Sequence, residues 1–292
     1  MRALVIGASG QVGSALMARL QARGHGVVGT HARVAQPGTV VLDVTDAAAT
    51  ARLVEESRAD LVFFSSGLTY VDYCEDHPDE AFRVNRDAVA QAARVAAKCG
   101  AGLVYYSTEY VFDGQAGPYA EDDPVRPLSV YGESKLAGER AALEESSRAI
   151  VVRTTVVYGP EPQGKNFVYQ LRRRLGAGER MRVPIDQVSS PTYNVDLAAA
   201  SVELAERGTT GVFNIAGGDI LDRYAFARIA CEVFGLDARL MEPVTTAALQ
   251  QRAARPLRAG LRLDRIRATL GYEPHPPRDG LLAMREALAT VP

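Results

Sequence analysis

Ala3-Leu4-Val5-Ile6-Gly7-Ala8-Ser9-Gly10-Gln11-Val12-Gly13-Ser14-Ala15-Leu16 is the stretch on which the fold turns. Four apolar residues predict a short buried strand, three glycines spaced GxxGxxG predict a tight turn, and the periodic run Gln11–Arg23 predicts a helix. That order presents backbone N–H groups at a helix N-terminus, where a pyrophosphate finds free donors and a favourable dipole. Gly7, Ser9, Gly10, Gln11, Val12 and Gly13 are therefore the candidate contacts of a dinucleotide. A glycine-rich turn without a ligand has the same local look. The strand before it and the helix after it favour the ligand.

Outward from this stretch the first half of the chain alternates. Ala3–Ile6, Gly26–Gly29, Val40–Leu42, Leu61–Phe64, Leu103–Tyr106 and Ile150–Arg153 read as strands, bounded by turn residues. Gln11–Arg23, Asp46–Ser57, Asp79–Lys98 and Ser129–Glu145 read as helices between them. Strand alternating with helix implies parallel pairing and an α/β, doubly wound sheet. Thr30–Thr39 is too short for a crossover helix, so a loop should join the second and third strands. Beyond Arg153 the pattern loosens: Asn166–Gly176, Asn194–Arg207, Asp222–Phe234 and Leu281–Leu288 look helical, and Gly211–Asn214 looks like a strand. We expect residues 1–157 to bind cofactor and residues 158–292 to form a smaller C-terminal substrate-binding lobe, interleaved with the first and without a linker.

Composition narrows the function. With 292 residues, 47% hydrophobic and 23% charged, the chain can bury a substantial core. Lys+Arg 33 against Asp+Glu 35 leaves a net charge of −2, which gives nucleic acid no broad basic face. No apolar run reaches the roughly 18 residues of a membrane span, and no signal-peptide pattern precedes the first strand. Cys74, Cys99 and Cys231 are odd in number and widely spaced, so reduced thiols and a cytoplasmic location are expected. His25, His31, His77 and His275 lack ligand spacing, and no metal is expected.

The end of the second strand speaks to cofactor type. Gly29-Thr30-His31-Ala32-Arg33 has no acid to bond a ribose 2′-hydroxyl, whereas Arg33 can pair with a 2′-phosphate. This points to NADP and leaves NAD possible. Asp43 could accept from the adenine amine, or could simply serve the helix start beside Thr45 and Asp46. Arg172-Arg173-Arg174 reads as an exposed helical face, with one arginine available to a substrate diphosphate as the functional version. Glu121-Asp122-Asp123 and Glu75-Asp76 read as solvated or helix-start acids.

Tyr131-Gly132-Glu133-Ser134-Lys135 is the sharpest chemical signal. Residues i and i+4 share a helix face, so a phenol and an ammonium can meet one substrate atom, the cation lowering the tyrosine pKa. Ser107-Thr108 closes a strand at the carboxyl edge of the sheet, where open α/β folds bind ligands, and places a hydroxyl beside them.

These blocks together resemble the extended short-chain dehydrogenase/reductases, and within them the dTDP-4-dehydrorhamnose reductase group. The resemblance runs through Gly7–Gly13, Val71-Asp72 with Glu75, Pro78 and Asn85, Ser107–Gly114, Tyr131–Glu139, Arg153 to Gly159, Asn166-Phe167, Asp186-Gln187 and Pro191-Thr192. It implies a Rossmann-like fold and NADPH-dependent reduction of the 4-keto group of a nucleotide sugar. Thr108, Tyr131 and Lys135 match the group's catalytic positions; Val44, Ser65, Ser66 and Thr69 join the cofactor contacts; Glu109, Val156 and Asn166 join Thr108 at the substrate. It also implies a homodimer through Asp79–Lys98 and Ser129–Glu145. Glu109 stands where the group commonly has Asp, Val156 where it commonly has Trp, and Ala15 where some members carry a metal-associated Glu. The tail around Arg255-Pro256 also resembles a sister branch that includes the regulatory beta subunit of methionine adenosyltransferase. An epimerase or dehydratase of the same superfamily and a non-catalytic NADP-binding subunit are the alternatives.

Overall fold

A computed structural model describes residues 1–290. Its centre is a seven-stranded parallel sheet in the order β11-β6-β5-β4-β1-β2-β3. The strands are β1 (Arg2–Ile6), β2 (Gly26–His31), β3 (Thr39–Val41), β4 (Leu61–Phe64), β5 (Gly102–Thr108), β6 (Ala149–Thr154) and β11 (Gly211–Asn214). Every residue of β4, β5 and β6 is buried, which is why these strands read as unbroken apolar runs with no alternation. β1 pairs with β2 on one side and β4 on the other, so the chain reverses direction across the sheet at β1. The crevice at the carboxyl ends of those strands is the usual ligand site of such sheets.

Helices α1 (Gln11–Ala22), α2 (Ala47–Ser57), α5 (Ala88–Lys98), α6 (Val130–Glu145) and α8 (Asn194–Glu206) cover the two faces. A separate apolar cluster gathers α7 (Phe167–Gly176), α9 (Arg223–Phe234), α11 (Pro277–Ala289) and the parallel ribbon β8 (Met181–Pro184) with β13 (Met241–Val244). Two further ribbons, β7 (Val157–Tyr158) with β10 (Thr192–Tyr193) and β9 (Val188–Ser189) with β12 (Leu221–Asp222), tie this cluster to the sheet. The strand expected at Gly211–Asn214 is part of the central sheet, paired with β6, and α8 packs on α1.

Asp79–Lys98 is helical as expected but not plain α-helix: after α3 (Val71–Asp76), α4 (Pro78–Phe82) runs through a π-turn at Arg83–Asp87 into α5. The turn brings in buried Asn85, whose side chain accepts from Leu68 N at 2.9 Å and donates to Leu68 O and to Ser134 Oγ, each at 3.0 Å. An inserted residue of this kind is a recurrent mark of a functional turn, and apolar periodicity does not reveal it. Glu121 is not a solvated acid. It is buried and accepts from the Asn214 backbone N–H at 3.0 Å, which joins the loop after β5 to β11.

Candidate active site

The glycine turn is shaped by what its neighbours exclude. Gly7 has φ +90°, and a Cβ there would lie 2.8 Å from the Ser66 nitrogen; at Gly13 it would lie 2.2 Å from the Gly7 carbonyl oxygen. The turn closes on itself through Gly10 N–H to Gly7 O at 3.0 Å. α1 then begins with no side-chain cap and no acid in its first turn, so its leading N–H groups are open to an anion. This cradle fits a pyrophosphate. Ser65 Oγ donates to Ile6 O at 2.9 Å, which holds the β4 exit against the turn. Thr69 and Arg33 line one cavity of about 670 Å³ together with Leu68, Tyr70, Asp72 and Arg255. Asp43 is exposed and occupied locally: it accepts from Thr45 N and Oγ1 at 2.9 and 2.7 Å, and these bonds hold its carboxyl below the usual range. Val44 is half-buried against the α2–α5 side of the core.

Thr108 ends β5 and Tyr131 sits in the first turn of α6, both buried. α6 can come this close because Gly132 has no side chain: a Cβ there would lie 2.3 Å from the Tyr110 carbonyl oxygen. Ser129 caps the helix, and Glu75 accepts from the Val130 N–H at 2.8 Å. The Tyr110 ring meets Tyr131 edge-on at 5.3 Å. Lys135 Nζ donates to Tyr106 O at 2.6 Å and lies 4.2 Å over the Tyr105 ring. Gly67 approaches it, a Cβ there falling 3.7 Å from Nζ, so the lysine reaches the loop of Ser65, Ser66 and Thr69.

The electrostatics differ from the expectation. Burial and the nearby Glu109 carboxylate raise the Tyr131 pKa, the Thr108 hydroxyl pulls the other way, and Lys135 is not among the causes. Lys135 is itself lowered to about 7 by burial, against the pull of Glu139. The ammonium turns to the β5 carbonyl, not to the phenol. Tyr131 is consequently a protonated donor at neutral pH. Glu109 is raised by burial and accepts from Thr108 Oγ1 at 2.8 Å. Behind them Glu139 forms a buried pair with Arg153 at 2.7 Å, and the Ser107 hydroxyl donates to the same carboxylate.

On the substrate side Asn166 is spent on structure. Its Oδ1 accepts from Val168 N at 3.1 Å and caps α7, and its Nδ2 donates to Gly159 O at 2.9 Å. Val156 has φ +41°, a left-handed backbone that costs a β-branched residue energy, and its carbonyl accepts from Thr192 N at 3.2 Å. Arg172 packs over the Tyr169 and Phe234 rings at 5.8 and 4.9 Å, and Arg174 pairs with Glu179 at 3.3 Å, so this triplet serves the α7 surface. The arginines facing the cleft are others. Arg223 lies 5.1 Å over the Phe167 ring, close enough to Glu109 and Tyr110 to favour the ionised form of each, and Arg255 pairs with both carboxylate oxygens of Asp72 at 2.9 and 3.1 Å. Sequence reasoning missed Arg223. The only cue was its place one residue after a helix-capping Asp222, which says nothing about a site 100 residues away in the chain.

The RmlD substrate binding domain family matches residues 1–290. The chain is similar to dTDP-4-dehydrorhamnose reductase of Mycobacterium tuberculosis, 36% identical over 99% of this chain and 92% of the relative. It is also similar to methionine adenosyltransferase 2 subunit beta of Bos taurus, 30% identical over 94% of this chain and 84% of that one. Among solved structures, dTDP-4-dehydrorhamnose reductase of Bacillus anthracis in complex with NADP aligns at a TM-score of 0.90 and 27% identity, over 98% and 99% of the two chains. The glycine cradle, the Thr108–Tyr131–Lys135 arrangement and a match along the whole described chain place this protein in the RmlD substrate-binding family.

Proposed function

We propose that the protein is an NADPH-dependent reductase of the 4-keto group of a nucleotide sugar, of the dTDP-4-dehydrorhamnose type. The observation that carries this reading is Tyr131: buried, kept protonated, with the Thr108 hydroxyl beside it at the carboxyl edge of the sheet. Gly7, Ser9, Gly10, Gln11, Val12 and Gly13 would hold the pyrophosphate, Arg33 the 2′-phosphate, and Asp43, Val44, Ser65, Ser66 and Thr69 the rest of the groove. Bound there, NADPH supplies a hydride for the ketone carbon. Tyr131 gives its phenolic proton to the ketone oxygen, and Thr108 turns its hydroxyl from Glu109 to the same oxygen. Lys135, poised near neutrality, would hold the nicotinamide ribose and relay a proton from solvent to the tyrosinate. The products are the 4-hydroxy sugar nucleotide and NADP, and one proton returns from solvent to Tyr131. Glu109 and Val156, with Asn166 fixing the start of α7 in the 158–292 half, would shape the sugar site; Ala15, half-buried in the sheet core, offers no ligand for a metal.

Elimination chemistry is poorly served. A dehydratase needs a second base beside the threonine, and that position holds Tyr110, whose pKa burial pushes up to about 12. Assay of NADPH oxidation against a panel of nucleotide 4-ketosugars tests the proposal: we expect turnover with at least one, and none with the parent glucose nucleotide. Binding of NADPH without reduction of any ketosugar would transfer the reading to a non-catalytic NADP-binding subunit. A homodimer through α5 and α6 belongs to the same proposal, supported by exposed Leu143 on α6, and solution mass at micromolar concentration checks it. So does a cytoplasmic setting, which the three unpaired cysteines support; no helix among the described residues is long and apolar enough to cross a membrane.

A further inference from the structure

The turn that receives the pyrophosphate is loose by composition. Glycine at positions 7, 10 and 13 admits close approach of a ligand, and it also gives the free turn many conformations to lose on binding. Something outside the turn must hold its peptide planes. Gln163 Nε2 donates to the Ser9 carbonyl at 2.8 Å, although the two residues are 154 positions apart. Asn194 Nδ2 donates to the Gln11 carbonyl at 3.2 Å and to the Pro160 carbonyl at 2.8 Å. Asn194 is completely buried at the start of α8, and Gly159, at φ +132°, has no Cβ because one would lie 1.9 Å from Asn194 Oδ1. The segment Gly159–Asn166 is thus locked to the turn at one end, while Asn166 caps α7 at the other.

We propose that Gln163 and Asn194 are positioning residues for the cofactor pyrophosphate, reaching across from the second half of the chain to aim the donors of the glycine turn. A trans peptide points its C=O and N–H in opposite directions, so fixing a carbonyl fixes the N–H of the next residue. Gln163 fixes the plane that carries the Gly10 N–H, which closes the turn on the Gly7 carbonyl at 3.0 Å and so sets where the N–H groups that follow it point. Asn194 fixes the plane that carries the Val12 N–H, in the first turn of α1, where the phosphate oxygens arrive. Two neutral amides do this with no charge to repel or over-bind the ligand. Gln11 Nε2, on the first residue of α1, is buried without a protein partner and is left as a further donor. The inference rests on the dinucleotide reading of the cleft.

Gln163→Met in the full chain tests it, because methionine keeps the length and removes the donor, and the residue is half-buried on a loop. Two ligands separate the causes: NADPH, which has the pyrophosphate, and adenosine 2′-monophosphate, which lacks it. We expect the NADPH Kd to rise about fivefold, the size of one hydrogen bond. Adenosine 2′-monophosphate should bind as before, the melting temperature should hold, and KM for NADPH should rise without loss of kcat. Gln163→Glu should weaken NADPH further than Gln163→Met, because it sets a carboxylate against the Ser9 carbonyl and the phosphates. An unchanged NADPH Kd, or equal weakening of both ligands, overturns the inference. Wild-type protein that binds no NADPH removes the dinucleotide reading itself, and this inference with it.

Discussion

The two sides of the cleft are built from different material. On the side proposed for the cofactor the groups that line it are backbone: a glycine turn, an uncapped helix start and the exit of β4, all within one stretch of chain plus its neighbour strand. On the side proposed for the substrate they are side chains gathered from distant segments, such as Tyr110, Phe167, Arg223 and Arg255 with its partner Asp72. A backbone site is broken by adding atoms, and a side-chain site by removing them. The sharpest way to break the comparison is therefore Gly13→Ala. Its Cβ would fall 2.2 Å from the Gly7 carbonyl oxygen and 2.7 Å from the Ala8 Cα, with backbone on both sides and no flexible tip to yield. We expect NADPH affinity to fall by at least about 100-fold, with far-ultraviolet circular dichroism checking that the fold survives. A variant that binds NADPH within a few-fold of wild type would mean that the turn is not the cradle.

Removal is the test on the other side. Tyr131→Phe takes away the hydroxyl and leaves the ring. It should cut kcat by about 100-fold or more while leaving the NADPH Kd within about twofold, since the lost group acts on the reacting oxygen and not on the cofactor. Parallel loss of NADPH binding would assign Tyr131 to the cofactor side and blur the division drawn above.

The same contrast explains what could be read before the structure was in hand. The central strands and most sheet-covering helices were legible because β4 to β6 are buried on both faces and the helices have regular apolar periods. Gly7–Gly13 was legible because the turn itself needs glycine at fixed spacing, a Cβ at Gly7 or Gly13 meeting backbone. The π-turn at Asn85 was not, since Pro78 through Lys98 keeps one helical polarity pattern straight through it. Arg223 was not, because an arginine among thirty gives no sign that it lies against Phe167. The direction of Lys135 was misjudged for a physical reason: the i, i+4 spacing fixes which face a side chain leaves, not which acceptor it finds. Here the Tyr106 carbonyl, 2.6 Å away, is that acceptor.

The burial of Lys135 also bears on stability. Folding lowers the Lys135 pKa from 10.5 to about 7, so above pH 7 the unfolded chain holds a proton that the folded chain releases. Stability from this group therefore rises with pH and is at its lowest below about pH 7. Between about pH 7 and pH 8.5 the gain is on the order of 1.5 kcal/mol. Higher up, Cys74 and Cys231 oppose it, because folding raises both thiols to about 11. Denaturant unfolding of wild type and Lys135→Met across that window should show a rising difference that the variant lacks. Parallel profiles would mean that the ammonium stays charged against Tyr106 O.

Arg33 sits where the comparison is least clear-cut, a side chain proposed to serve the backbone-built side, and its effect should be smaller than that of Gly13→Ala or Tyr131→Phe. It is exposed on the loop after β2, at one end of the cavity that Thr69 and Tyr70 also line. In NADP the only group absent from NAD is the 2′-phosphate, and a guanidinium is suited to it by two parallel N–H donors and a charge that never titrates. Exposure limits the gain, since water and salt screen the pair, so about tenfold is expected, not the hundredfold of a buried one. Arg33→Ala should then raise the NADPH Kd about tenfold at low salt and leave NADH unchanged. At high ionic strength the gap between wild type and variant should close, because the lost interaction is the screened one. Equal weakening for both cofactors would put Arg33 at a part of the dinucleotide they share. No change for either would give the 2′-phosphate to another residue of the cavity and remove the argument for NADP over NAD at this end of the sheet.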